Sequence, residues 1–114
     1  MKIFISADME GATGVVYVDQ TNTSKKEYSF GCKMQLHDVK AVIEGALSAG
    51  ADEILVNDSH SIATNLDVAE LGFDSRVRLL SGSPKMFSMV HGVEGADCQA
   101  PHGLHNTLRV NEAG

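Results

Sequence analysis

Two short clusters hold the side chains best suited to chemistry. The first is Asp8-Met9-Glu10-Gly11, the second Asn57-Asp58-Ser59-His60-Ser61. In an extended segment alternate residues point the same way, so Asp8 and Glu10 can face one point. Two carboxylates that close repel each other unless a cation or a proton lies between them. His60 adds an imidazole, which suits zinc or another transition ion better than magnesium. Two oxygen ligands and one nitrogen ligand are the make-up of an open, catalytic type of metal site. His102 is a further candidate ligand. It stands where a fourth strand over 96–101 would end, although Pro101 makes that strand a poor one.

Each cluster alone has an ordinary explanation. Aspartate after a strand commonly forms a turn or caps a helix, and Asn-Asp-Ser-His is a common turn sequence. Their force is joint, because both follow short apolar runs. The remaining histidines read differently: His37 and His91 as solvated helix residues, His105 as part of the tail. Gly11 and Gly14 match neither a P-loop nor a dinucleotide-binding spacing. Ser59 and Ser61 flank His60 but lack the base that would make either a nucleophile. Met86, Phe87 and Met89 fit a helix core better than a cofactor site.

The elements that must position these residues follow from periodicity. The run 2–7 (KIFISA) is short, β-prone and apolar, as a buried strand should be. A Gly-rich loop over 11–14 and a polar, irregular stretch over 19–27 come next. From 34 to 49 the apolar residues Leu36, Val39, Val42, Ile43, Ala46 and Leu47 recur at spacings of three and four, one helical stripe, with Gly50 as its stop. A second buried strand covers 53–56 (EILV). A short helix over 66–71 takes Asn65 or Thr64 as its cap. A third strand covers 76–80, and Pro84 opens a helix over 84–91. Strands alternating with helices imply right-handed crossovers and a mainly parallel sheet flanked by helices in three layers, in one α/β domain. Sites in such sheets form outside the carboxyl ends of the strands, where both clusters lie. The metal-binding domain is assigned to 1–97. The tail over 98–114 shows neither helical stripe nor convincing strand.

Composition narrows the function. A length of 114 residues with 43% hydrophobic content supports one domain with one core. A net charge of -6 argues against nucleic acid and against an anionic membrane surface as partners. No apolar run approaches the length of a membrane span. Cys32 and Cys98 are too few and too far apart for a disulfide framework, and they read as reduced thiols of a cytoplasmic protein.

Taken together, SADMEGATGVV, the stretch from EYSFGCKMQLHDVK to EILVNDSHS, NLDVAEL, and RLLSGSPKMFSMVHGVEGAD resemble the D-aminopeptidases of the dipeptide-operon type, which are zinc peptidases. The combination of DMEG with VNDSH is specific, and the resemblance runs in register from Lys2 to about Asp97. It implies an α/β domain with two zinc ions at the strand ends. Asp8 would bridge them, Glu10 would bind one and His60 the other. His102 falls on a further histidine ligand of the family, although Ala100-Pro101 replaces the Gly-Tyr that precedes it there. The family also uses a catalytic histidine and a late glutamate ligand. His105 and Glu112 stand in the tail at other spacings, so no catalytic residue is assigned.

The resemblance implies a zinc-dependent aminopeptidase that cleaves small peptides with an amino-terminal D-residue and assembles as a homo-oligomer. It also implies that this chain is an amino-terminal portion, incomplete relative to the family and altered beyond Asp97, and therefore a partial or inactive form. Two alternatives stand beside it. One is a magnesium-dependent phosphohydrolase, suggested by Asp-x-Glu after a first strand. The other is a non-catalytic metal-binding remnant.

Overall fold

Strand β1 (Lys2–Ala7) is the centre of the fold, and its sequence explains why. Ile3, Phe4, Ile5 and Ala7 are all buried, so both faces of the strand are covered. Parallel strands buried on both faces read as continuous apolar runs rather than alternating ones. The computed structural model describes residues 1–85, 92–96 and 98–102, the last five through their backbone. Around β1 lie β2 (Glu53–Asp58), β3 (Val77–Leu80) and β4 (Cys98–His102), in the order β3-β2-β1-β4, with every pair parallel. The mainly parallel α/β architecture is the one expected from the alternation of elements.

Register matters most for function. Ala7 pairs with Asp58 on one side and with His102 on the other. The carboxyl ends of three strands therefore finish level with one another.

One face of the sheet carries the main core. Ile3, Ile5, Ala7, Ile54 and Val56 pack with Val39 and Ile43 of helix α1 (Tyr28–Ser48) and with Leu66 and Leu71. Truncating a fully buried side chain such as Ile43 to alanine would cost about 2–5 kcal/mol. On the opposite face Gly92 packs close to Phe4, Leu55 and Leu80. Gly50 ends α1 as expected. Its φ of 95° is a left-handed conformation that few residues other than glycine adopt, and Ala51 N–H returns to the Ala46 carbonyl at 3.0 Å.

Several boundaries differ from the sequence expectation, each for a physical reason. Helix α1 begins at Tyr28, not at 34, because its first buried positions are Gly31 and Gln35, invisible to an apolar-stripe criterion. Strand β2 continues through Asn57 and Asp58, both fully buried. Polar residues remain in the strand there because Asp58 is hydrogen-bonded by the loop that follows. Helix α2 is shorter than expected, Val68–Leu71, and Asp67 caps it by accepting from Ala69 N–H at 2.9 Å. Asn65 is engaged elsewhere. Strand β3 starts after Arg76, which Asp74 holds in a turn. The polar stretch after the glycine loop contains a 3₁₀ turn, Val18–Thr21. Pro84 and Lys85 are not helical, and 86–91 of the expected last helix lie outside the described residues.

The tail reading is corrected most. Cys98–His102, assigned to an irregular tail, is a strand of the sheet, so 97 is not where the sheet ends. Pro101 is tolerated because β4 pairs only with β1 and is, among the described residues, an edge strand, where a missing N–H costs least. Among the described residues no helix is long and apolar enough to cross a membrane.

Candidate metal centre

Beyond β1 the chain bends at Met9 and turns at Glu10, where Ala12 N–H bonds the Met9 carbonyl at 3.0 Å, and Asp8 and Glu10 still come together. Met9 between them is fully buried. Its methyl group lies against α1 at Gly31, where an added Cβ would sit 2.8 Å from it. With Met9 directed into the core, Asp8 and Glu10 point away together.

His60 arrives from the β2 side. Ser59 N–H donates to the Ala7 carbonyl at 2.8 Å, which carries the strand pairing one step beyond Asp58. The loop then turns sharply. Ser61 and Ala63 adopt φ values of 51° and 60°, left-handed conformations uncommon for residues with a Cβ. Such strain persists only where neighbouring bonds over-determine it. Here they do. The Asp58 carboxylate accepts from Asn65 N–H at 2.7 Å, Leu66 N–H at 2.8 Å and Asn65 Nδ2 at 2.8 Å. Asn65 Nδ2 also donates to the His60 carbonyl at 2.6 Å, and Tyr28 of α1 donates its hydroxyl to Asn65 Oδ1. Ala63 N–H closes the turn onto the His60 carbonyl at 2.8 Å.

The result is a cluster. His60 Nδ1 lies 2.9 Å from Asp8 Oδ1 and 3.3 Å from Glu10 Oε2. Ligand atoms of Asp8, Glu10 and His60 all lie within 4.8 Å of one another. The other imidazole nitrogen, Nε2, is 2.8 Å from the Thr21 carbonyl oxygen. A carbonyl can only accept, so Nε2 carries a proton and Nδ1 is the nitrogen that faces the carboxylates. An imidazole with one nitrogen tied to a backbone carbonyl and the other turned to a site is the usual arrangement of a metal-binding histidine.

Electrostatics agree with the geometry. The hydrogen bond to Asp8 pushes the His60 imidazole up to about 9, against an opposing effect of burial. Burial pushes the Asp8 carboxyl up, but bonds with His60, Glu10 and the Met9 N–H outweigh it and bring it down to about 2. Burial, and then the neighbouring Asp8, raises the Glu10 carboxyl. Glu10 Oε2 is also buried and, among the described residues, has no hydrogen bond beyond the 3.3 Å approach of His60 Nδ1. A buried carboxylate oxygen in that state is costly, and a cation between Asp8, Glu10 and His60 would satisfy it. The donor set, two carboxylates and one imidazole, suits zinc.

The other candidates fall as follows. The register places His102 opposite Ala7, one residue short of Asp8, at the end of β4. His37 is exposed beside Asp38. His91, His105 and Glu112 lie outside the described residues. Gly11 and Gly14 form turns, with φ of 89° and 79°. Sequence reasoning missed the supports of His60. Asn65 looked like a helix cap, and the Thr21 carbonyl, being backbone, leaves no trace in residue type.

The family Peptidase_M55, described as D-aminopeptidase, matches residues 1–113, past the point near Asp97 where the resemblance first ended. A D-aminopeptidase of Bacillus subtilis (strain 168) is 37% identical over 94 residues, covering 82% of this chain and 34% of that protein. The structure of the Zn-dependent D-aminopeptidase DppA from Bacillus subtilis, described as a self-compartmentalizing protease, superposes with a TM-score of 0.85 at 33% identity. The match covers 91% of this chain and 38% of that one, so the chain spans little more than a third of the relatives' length. With residues 1–113 matched in sequence and 91% of the chain matched in structure, the chain belongs to the D-aminopeptidase family Peptidase_M55.

Proposed function

We propose that Asp8, Glu10 and His60 hold zinc, and that the chain is the metal-binding part of a zinc-dependent aminopeptidase acting on small peptides with an amino-terminal D-residue. The observation that carries this reading is the meeting of three ligand atoms within 4.8 Å around a buried Glu10 oxygen. The relatives, named as D-aminopeptidases and one as Zn-dependent, support the choice of ion and reaction. Bound zinc supplies Lewis-acid polarisation of a carbonyl and a water of lowered pKa. The chain's own residues do the rest. Asp8 and Glu10 give the negative charge that holds the ion. Thr21 fixes the imidazole tautomer, and the Asn65–Asp58 bonds hold the His60 main chain.

A second zinc would take Asp8 as a shared ligand and His102, which the strand register brings level with the site. Assembly as a homo-oligomer accords with the self-compartmentalizing relative, and a cytoplasmic setting with the low cysteine count. The magnesium phosphohydrolase reading loses to the family match and to the imidazole inside the cluster.

Metal analysis of the purified chain tests the proposal, alongside hydrolysis of a D-alanyl peptide at saturating zinc. Bound zinc in the wild type and its loss in Asp8→Ala are expected. Unchanged zinc content in Asp8→Ala would sink the site assignment. Zinc without any turnover would favour the non-catalytic remnant.

A further inference from the structure

Next to the metal cluster lies a cavity of about 240 Å³ with Glu10, Val15, Val16, Tyr17, Val18 and Thr21 in its walls. We propose that it receives the apolar side chain of the substrate's amino-terminal residue, an inference that rests on the zinc-peptidase reading above. Position is the first argument. Glu10 and Thr21, which both line the cavity, are also the residues that flank His60, through Nδ1 at 3.3 Å and Nε2 at 2.8 Å. A ligand whose amine or carbonyl reached the cluster would have its first side chain at this opening.

Size is the second argument. Pockets that enclose a whole drug-sized ligand measure roughly 300–1,000 Å³, so this one fits a single side chain rather than a peptide. Chemistry is the third. Apart from Glu10, at the end nearest the cluster, no wall residue among the described residues carries a charged side chain. Val16, Tyr17 and Val18 are 82%, 52% and 73% exposed, an unusual density of exposed apolar side chains in three consecutive residues.

The wall is also built rather than loose. Gln20 is buried, and its Oε1 accepts from Val16 N–H at 2.6 Å and Tyr17 N–H at 3.1 Å. Its Nε2 donates to the Gly14 carbonyl at 3.1 Å, and Val15 N–H bonds the Ala12 carbonyl at 2.9 Å. A polar core residue is thus used to hold apolar side chains outward beside the site, a pre-organisation that reduces the ordering cost of binding.

The test uses the zinc-loaded chain and three hydroxamates: acetohydroxamic acid, D-alanine hydroxamate and D-leucine hydroxamate, each titrated by calorimetry. The last two share the zinc-binding group and the amine and differ only in the side chain. The leucine compound should bind roughly tenfold tighter or more, as a few methylenes in an apolar pocket allow. In the double variant Val16→Ser/Val18→Ser, at two exposed positions, that advantage should shrink to about twofold or less, while acetohydroxamic acid binds as before. Equal binding of the two amino-acid hydroxamates, or an advantage that survives the double variant, overturns the pocket alone. Failure of all three to bind overturns the zinc reading and the pocket with it. A changed oligomeric mass of the double variant with the leucine advantage intact would make this face an interface between copies instead, and would also overturn the proposal.

Discussion

The Thr21 carbonyl oxygen sits 2.8 Å from Nε2 of His60, a contact between residues 39 positions apart. It decides which imidazole nitrogen faces Asp8 and Glu10. The 3₁₀ turn carrying Thr21 can approach because Gly31 of α1 has no side chain. A Cβ there would lie 2.0 Å from the Gln20 carbonyl oxygen, inside any possible contact.

Gly31→Ala should therefore push the turn away and release His60 Nε2. Loss of such an outer partner typically weakens metal binding by about 10–100-fold. Competition with a chromophoric chelator would measure zinc affinity, and circular dichroism would show whether α1 persists. Wild-type affinity in a folded variant would mean that the Thr21 contact does not orient the ligand.

Acidity follows from the same cluster. His60 titrates at about 9 in the metal-free fold, raised from 6.5 chiefly by its bond to Asp8. A raised histidine contributes stability that is complete below its unfolded pKa and is lost as pH climbs through the folded one. Metal-free protein should thus lose stability between about pH 6.5 and 9, and His60→Gln should abolish that slope. Zinc must displace the same proton, so its apparent affinity should rise over the same interval. Urea titrations and chelator competition at several pH values would reveal both trends. A flat stability profile in the wild type would contradict the His60–Asp8 pairing.

Asn65→Ala removes bonds to the Asp58 carboxylate, the His60 carbonyl and the Tyr28 hydroxyl at once. Leaving such buried partners unsatisfied costs about 1–3 kcal/mol. Because the loop then relaxes its left-handed residues, zinc affinity should fall as well. Equilibrium unfolding of the metal-free variant separates the two effects. A stability loss with unchanged zinc affinity would show that the network supports the fold and not the ligand.

Gln35 offers the opposite outcome. It is fully buried on α1, in line with Gly31, Val39 and Ile43, and both its amide atoms lack hydrogen-bond partners among the described residues. Gln35→Met, close in length, should remove a desolvation penalty and stabilise the chain by about 1 kcal/mol or more. A drop in thermal midpoint would indicate that the amide has a partner in the working protein.

Much of this was legible in sequence. KIFISA and EILV lie in parallel strands whose buried positions are mostly apolar, so they stand out. The stripe from Leu36 to Leu47 marks α1 because helical burial has a period that residue types record. That Asp8 and Glu10 can face one point is legible in the Asp-x-Glu spacing; that they meet although the chain turns at Glu10 goes with the burial of Met9 between them. The rest depended on pairing across distance. That Cys98–His102 is a strand despite Pro101 depends on β1 offering an edge with no further partner among the described residues. That α1 begins at Tyr28 depends on the turn that packs on Gly31. Asn65 caps nothing, because Asp58 outcompetes the helix for it. Residue types and spacing report local preference, whereas these outcomes are settled by hydrogen bonds between segments tens of residues apart, whose geometry exists only once the sheet has closed.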